Sequence, residues 1–176
     1  MAGHSKWKQI KHKKAVTDAK KSQTFSKIIR LLTVEAKKVA GDINSPNLRR
    51  AIERARAENM PNDNIERAIK KALEAGGEKM EPVIYETYGP GSCAIIIEGL
   101  TSNRNKAAAE IRHILSKQEL ELSASGSATW AFEKKDGVWE PKNTVPLSEK
   151  EAEKLSQIID ELEENDEVQD VYTNAE

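Results

Sequence analysis

The chain has 176 residues, long enough for one large or two small domains with a real core. Its single cysteine, Cys93, excludes an internal disulfide framework and a multi-cysteine zinc site. The formal net charge of −1 hides a split: residues 1–80 hold 19 Lys+Arg and 9 Asp+Glu, whereas residues 81–176 hold 9 and 20.

Residues 1–24 are polar and basic, with only Trp7, Ile10 and Val16 as large apolar anchors. Helical periodicity then begins at Phe25 and runs through Ile28, Ile29, Leu32, Ala36 and Val39, a single stripe that Gly41 ends. After Asn44-Ser45-Pro46-Asn47 a second stripe runs through Leu48, Ala51, Ile52 and Ala55, and Asn59-Met60-Pro61 breaks it. Asp63 with Glu66 reads as a capping box for a third helix carrying Ile65, Ala68, Ile69, Ala72 and Leu73, closed by Gly76-Gly77. None of these helices buries its apolar face alone, so the expectation is a three-helix bundle with a basic arm, residues 1–80.

From Met80 onward the pattern alternates. Val83–Tyr88 and Ser92–Gly99 read as strands around the turn signal Gly89-Pro90-Gly91. Asn103 is placed to cap a helix through Ala107, Ala108, Ile111, Ile114 and Leu115, and Ser127–Phe132 reads as a third strand with Trp130 and Phe132 on one face. Asp136-Gly137 signals a hairpin leading into Val138-Trp139. Ser148 with Glu151 is a second capping box, opening a helix through Ala152, Leu155, Ile158, Ile159 and Leu162, and Val168–Tyr172 reads as an edge or terminal strand. The expected fold class is α+β, with residues 81–176 forming an acidic sandwich of helices on one face of a mixed sheet.

The charge split points to a polyanionic partner at the front of the chain. Lys6, Lys8, Lys11, His12, Lys13, Lys14, Lys20, Lys21, Lys27 and Arg30 are the candidate contacts, because clustered cations release counterions from phosphates. Lys37, Lys38, Arg49, Arg50, Arg54, Arg56, Arg67, Lys70 and Lys71 make the adjoining bundle basic as well. Trp7 either stacks on a base or anchors the arm to the bundle. No Leu or Phe face opposes the lysines of residues 4–24, which excludes an interfacial membrane helix there. No run approaches the roughly 18 apolar residues of a membrane span, and no apolar signal region opens the chain, so a cytoplasmic location is expected. His4, His12 and His113 lie at no metal-ligand spacing, Cys93 reads as a buried structural thiol, and Gly89-Pro90-Gly91 is no phosphate loop. The expectation is therefore a non-enzyme without cofactor, metal or small-molecule substrate.

Several stretches together resemble the YebC/PmpR family, whose mitochondrial relative is the translational activator of cytochrome c oxidase. They are Met1-Ala2-Gly3-His4-Ser5-Lys6-Trp7, Ile10-Lys11-His12-Lys13-Lys14, Asp18-Ala19-Lys20, Phe25-Ser26-Lys27, Asn59-Met60-Pro61 with Asn64–Ile69, Thr101-Ser102-Asn103-Arg104-Asn105, and Glu167–Tyr172 with Asn174. The resemblance implies a helical first domain followed by α+β lobes of ferredoxin-like build. It also implies a cofactor-free protein that regulates transcription by binding duplex DNA, or alternatively one that binds rRNA or tRNA on the ribosome and assists elongation through difficult stretches such as consecutive prolines. Carried over by position, Lys6, Trp7, Lys11, His12, Lys13, Lys14, Lys20 and Lys21 are its nucleic-acid contacts; separately, the charge of the acidic domain admits a protein partner. One departure stands out: typical members carry an extra lobe after a strand like Ser127–Phe132, whereas here Lys134–Trp139 runs almost directly into Pro141–Val145.

Overall fold

The structure, a computed structural model, describes residues 18–77 and 79–176. These fall into two units: residues 18–77, 79–81 and 100–102 form one, and residues 82–99 and 103–176 form the other.

The first unit is helical. Helix α1 spans Asp18–Lys38, α2 spans Pro46–Ala57 and α3 spans Asn62–Leu73. At 100° per residue, Phe25, Ile28, Leu32 and Ala36 of α1 fall in a sector of about 80°. That stripe packs with Leu48, Ala51, Ile52 and Ala55 of α2 and Ile65, Ala68 and Ala72 of α3, a core that Met60 completes from the connecting turn. Gly41 ends the first helix in the left-handed conformation (φ 79°), its N–H donating to the Ala36 carbonyl at 2.9 Å. The expected capping box at Asp63 and Glu66 does not form. Helix α3 begins at Asn62 with Pro61 in the cap position, two residues before Asp63, and no side-chain cap bond, following the left-handed turn at Asn59 (φ 59°).

The second unit contains strands β1 (Glu81–Tyr88), β2 (Ala94–Thr101), β3 (Phe132–Lys135), β4 (Val138–Pro141) and β5 (Val168–Thr173). Its helices are α4 (Arg104–Lys117) and α5 (Glu149–Glu163). The main sheet has the order β1-β2-β5. Strand β2 pairs antiparallel with β5, matching Ile95 to Thr173, Ile96 to Tyr172 and Ile97 to Val171. The β2–β5 ladder is antiparallel, and among the described residues a parallel bridge joins Val145 to Ala175, within the expected α+β class.

The run Ala94-Ile95-Ile96-Ile97 is apolar without alternation because the central strand is covered on both faces. Ile95 and Ile97 pack against Ile111 and Leu115 of α4 and Leu155, Ile158, Ile159 and Leu162 of α5. Ala94 and Ile96 face the opposite way, onto Ala128, Ala131 and Phe132. Both predicted caps of these helices are present: the Asn103 side chain accepts from the Lys106 N–H, and Ser148 with Glu151 forms a reciprocal capping box.

The expected strand Ser127–Phe132 is replaced by a 3₁₀ turn over Thr129–Ala131, and β3 starts only at Phe132. The cause is Glu86. Its buried carboxylate accepts from the backbone N–H groups of Gly126 (2.7 Å), Ala128 (2.7 Å) and Thr129 (2.9 Å), donors that a ladder needs. Burial pushes the Glu86 carboxyl up, but these donors outweigh it and hold the group below the ordinary glutamate value. The turn also separates two aromatic side chains expected on one face. Phe132 is buried, whereas Trp130 is 60 % exposed, its indole N–H donating to the Tyr88 hydroxyl at 2.9 Å. Strands β3 and β4 form their own two-stranded hairpin, turned at Asp136-Gly137 with positive φ at both residues, as the sequence signalled.

Candidate nucleic-acid interface

Of the predicted contacts, Lys6, Trp7, Lys8, Lys11, His12, Lys13 and Lys14 lie outside the described residues. Lys20 and Lys21 are exposed near the start of α1, and Arg30 is half-buried. Lys27 is different: it is only 9 % exposed and engaged with neighbouring groups, so its charge is withdrawn from the surface.

The helical unit carries more than those positions. Residues 18–77 hold thirteen Lys+Arg against eight Asp+Glu, so half of the positive excess of residues 1–80 belongs to the folded helices and half to the five lysines of residues 1–17. On α1, Lys20, Lys27, Arg30, Lys37 and Lys38 occupy a sector of about 100°, opposite the apolar stripe. Burying the stripe therefore turns Lys20, Lys37 and Lys38 outward, with Arg30 half-buried and Lys27 the buried exception.

Short connections, residues 39–45 and 58–61, make successive helices antiparallel neighbours, so α1 and α3 run the same way. Contact between Gly41 and Leu73 places their C-terminal ends together. Lys37 and Lys38 from α1, Lys70 and Lys71 from α3, and Arg49 and Arg50 near the start of α2 thus share one end of the bundle. Basic groups in the last turns of α1 and α3 also complement the helix dipoles, which accounts for their placement even without a ligand. Lys38 pairs with Glu35 at 2.8 Å and Arg49 with Glu53 at 3.4 Å. The second pair is largely exposed and worth about 1 kcal/mol or less, so a phosphate displaces it readily. These six positions, separated by up to 34 residues in the chain, were visible in the sequence only as scattered basic residues; the return of α3 alongside α1 gathers them.

The N-terminal turn of α3, where a groove-reading helix needs base-contacting groups, carries Asp63. The cations gathered at the shared end of the bundle are suited to phosphate, while Arg67 is exposed in the middle of α3.

Cys93 is fully buried, and burial pushes its thiol up, away from the reactive thiolate. Among the described residues, no three His, Cys, Asp or Glu side chains are grouped to hold a metal ion, and no helix is long and apolar enough to cross a membrane. Several stretches that carried the family resemblance have structural roles. Asn103 caps α4, Met60 fills the helical core, and buried Asn174 accepts from the Ala94 N–H at 2.7 Å, fixing the end of β5 against β2.

Comparison with known proteins decides the family. A profile described as TACO1/YebC protein N-terminal domain matches residues 5–75, and one described as TACO1/YebC second and third domain matches residues 80–138 and 135–175. The chain belongs to the TACO1/YebC family. It is 40 % identical to a probable transcriptional regulatory protein of Thermoanaerobacter pseudethanolicus over 239 aligned positions, covering 100 % of this chain and 97 % of the relative. A probable transcriptional regulatory protein of Petrotoga mobilis is 50 % identical over 147 positions, covering 82 % of this chain and 59 % of that one. The crystal structure of a conserved hypothetical protein from Aquifex aeolicus superposes with a TM-score of 0.80 at 33 % identity, covering 98 % of this chain and 97 % of that one.

An alignment of 239 positions against a chain of 176 residues means that the Thermoanaerobacter relative carries a long insertion. The two matched stretches of the second profile meet at residues 135–138, the turn between β3 and β4. This TACO1/YebC protein is thus a short form, in which a two-residue hairpin turn stands where longer members carry a lobe.

Proposed function

We propose that this TACO1/YebC protein is a non-enzymatic, cytoplasmic transcriptional regulator that binds duplex DNA through its helical unit and the basic residues preceding it. The observation that carries this reading is the outward-facing positive charge of the helical unit, continued by the five lysines of residues 1–17, in a chain whose other unit is strongly acidic. The relatives named as probable transcriptional regulatory proteins support the regulatory part. Lys6, Trp7, Lys8, Lys11, His12, Lys13, Lys14, Lys20, Lys21 and Arg30 make the contacts, joined by Lys37, Lys38, Arg49, Arg50, Lys70 and Lys71. Lys27 acts within the fold.

One observation favours a second reading, RNA on the ribosome. The acidic first turn of α3 and the cations gathered at one end of the bundle suit backbone phosphate better than a base sequence.

The test is fluorescence anisotropy with duplex DNA, structured RNA and ribosomes across a salt series. Wild type is compared with a Lys11→Ala, Lys13→Ala, Lys14→Ala variant and with a Lys38→Ala, Arg49→Ala, Lys70→Ala variant. Each lost phosphate contact on duplex DNA lowers the slope of log K against log salt by about 0.9, so each triple variant loses up to about 2.7. Tight ribosome binding with weak, sequence-blind DNA binding transfers the assignment to translation. Unchanged affinity for all three partners in both variants refutes it altogether.

A further inference from the structure

Leu73 belongs to the apolar stripe of α3, yet it is 50 % exposed and stands outside the helical core. Its side chain lies against the backbone of Gly41, where a Cβ would be 2.8 Å from the Leu73 Cδ1. Two residues on, with its Cα within about 7 Å of that of Gly41, comes Ile43. It is 57 % exposed on the turn between α1 and α2 and also lies outside the core. A lone exposed aliphatic side chain is ordinary. Two that converge on one turn are not accounted for by the core.

That turn is tied down. The Asp42 N–H donates to the Val39 carbonyl and the Ser45 N–H to the Asp42 carbonyl, both at 3.0 Å, and the Asp42 side chain accepts from the Asn44 N–H at 2.9 Å. Around the pair stand the cations of this end of the bundle, Lys37, Lys38, Arg49, Arg50, Lys70 and Lys71. The Lys37 ammonium reaches the backbone of Gly77, just beyond α3, where a Cβ would lie 2.9 Å from it. Among the described residues the acidic groups of this end are fewer: Glu35 and Glu53 pair with Lys38 and Arg49, Asp42 closes its own turn, and Glu74 is the C-cap of α3.

We infer that Ile43 and Leu73 form an apolar wedge that enters a DNA duplex at a base step that unstacks easily, while the surrounding lysines and arginines hold the flanking phosphates. The wedge presupposes that this same end of the bundle binds nucleic acid. Charge complementarity selects the occupant: a positive surface with an apolar centre matches stacked bases framed by phosphate backbones. An anionic bilayer presents phosphate too, but two aliphatic side chains bury too little apolar surface to anchor the bundle in it. A wedge also supplies selectivity. Asp63 occupies the N-terminal turn of α3, where a reading helix needs base contacts. Discrimination then comes from the cost of unstacking, which pyrimidine–purine and mismatched steps lower.

The probe is a duplex of about 20–30 base pairs with one central mismatch flanked by 2-aminopurine, titrated with the full-length protein beside the same duplex fully paired. The mismatched duplex binds about tenfold more tightly, and 2-aminopurine fluorescence rises as the step unstacks. An Ile43→Ser, Leu73→Ser variant, whose far-UV spectrum and melting match wild type, binds both duplexes alike, leaves the fluorescence unchanged and retains the salt slope. An Ile43→Met, Leu73→Met variant keeps the preference, since methionine also serves as a wedge. The Lys38→Ala, Arg49→Ala, Lys70→Ala variant instead lowers the salt slope on both duplexes and keeps the preference. Duplex binding without preference for the mismatch, or a preference that survives the serine variant, overturns the wedge and leaves nucleic-acid binding standing. A wild-type protein that binds neither duplex overturns both. Binding to phosphatidylserine vesicles that the serine variant loses, with both duplexes unaffected, gives the pair to a membrane surface and overturns the wedge.

Discussion

Replacing Glu86 with glutamine probes the feature that most changes the expected fold. The wild-type carboxylate accepts three backbone N–H groups at 2.7–2.9 Å from a site where the residue is 4 % exposed. Hydrogen bonds to a charged acceptor are worth about 1.5–3 kcal/mol each, and they are not additive. Glutamine keeps one acceptor oxygen and turns an NH₂ donor toward the N–H groups that the second oxygen served. Losing one or two of the three bonds costs about 2–4 kcal/mol, a large part of a typical domain stability of about 5–15 kcal/mol. Urea unfolding at neutral pH measures the loss, and amide exchange at Gly126, Ala128 and Thr129 locates it. The pH dependence supplies a second reading. Since the native pKa lies below the ordinary value of 4.5, the folded state binds fewer protons than the unfolded state in the acid range. The stabilisation is therefore complete above that ordinary value and is lost as pH falls through the lower native one. Glu86→Gln removes this part of the acid sensitivity. A variant within about 0.5 kcal/mol of wild type, or one with the same acid slope, refutes the role assigned to Glu86.

Helix starts give a paired test by thermal or urea unfolding. Ser148→Ala, which breaks an observed capping box, costs about 1 kcal/mol, whereas Asp63→Ala, which removes no cap bond, costs less than about 0.5 kcal/mol. Gly99→Ala brings a Cβ to 2.6 Å from the Glu167 backbone carbonyl beside the β2–β5 bulge, and overpacking against a backbone atom costs about 1–3 kcal/mol in urea unfolding. A Gly99→Ala protein as stable as wild type shows that the bulge is free to shift.

Local chemistry made most of the elements legible. The Phe25–Ala36 stripe, the Asn103 cap, the Ser148–Glu151 box and the Asp136-Gly137 turn each depend on residues a few positions apart, and each is present in the structure. The misreadings involve partners far away. Nothing within Ser127–Phe132 announces that Glu86, some forty residues earlier, will take its N–H groups, and the alternation of Trp130 and Phe132 imitates a strand. At Asp63, the spacing of a capping box was right, but the helix already starts at Asn62, following the left-handed turn at Asn59.

Charge followed the same division. That the front of the molecule is basic and the back acidic is a property of composition, and folding does not alter it. Which cations face outward is another matter. Packing buried Lys27, turned Lys37 and Lys38 away from the core, and brought them beside Lys70, Lys71, Arg49 and Arg50 by returning α3 along α1. Periodicity along one chain defines a helix and its apolar face, because those depend on neighbours within two turns. The end of one helix that meets the end of another depends on three stripes closing around a common core, and the tertiary structure alone decided it.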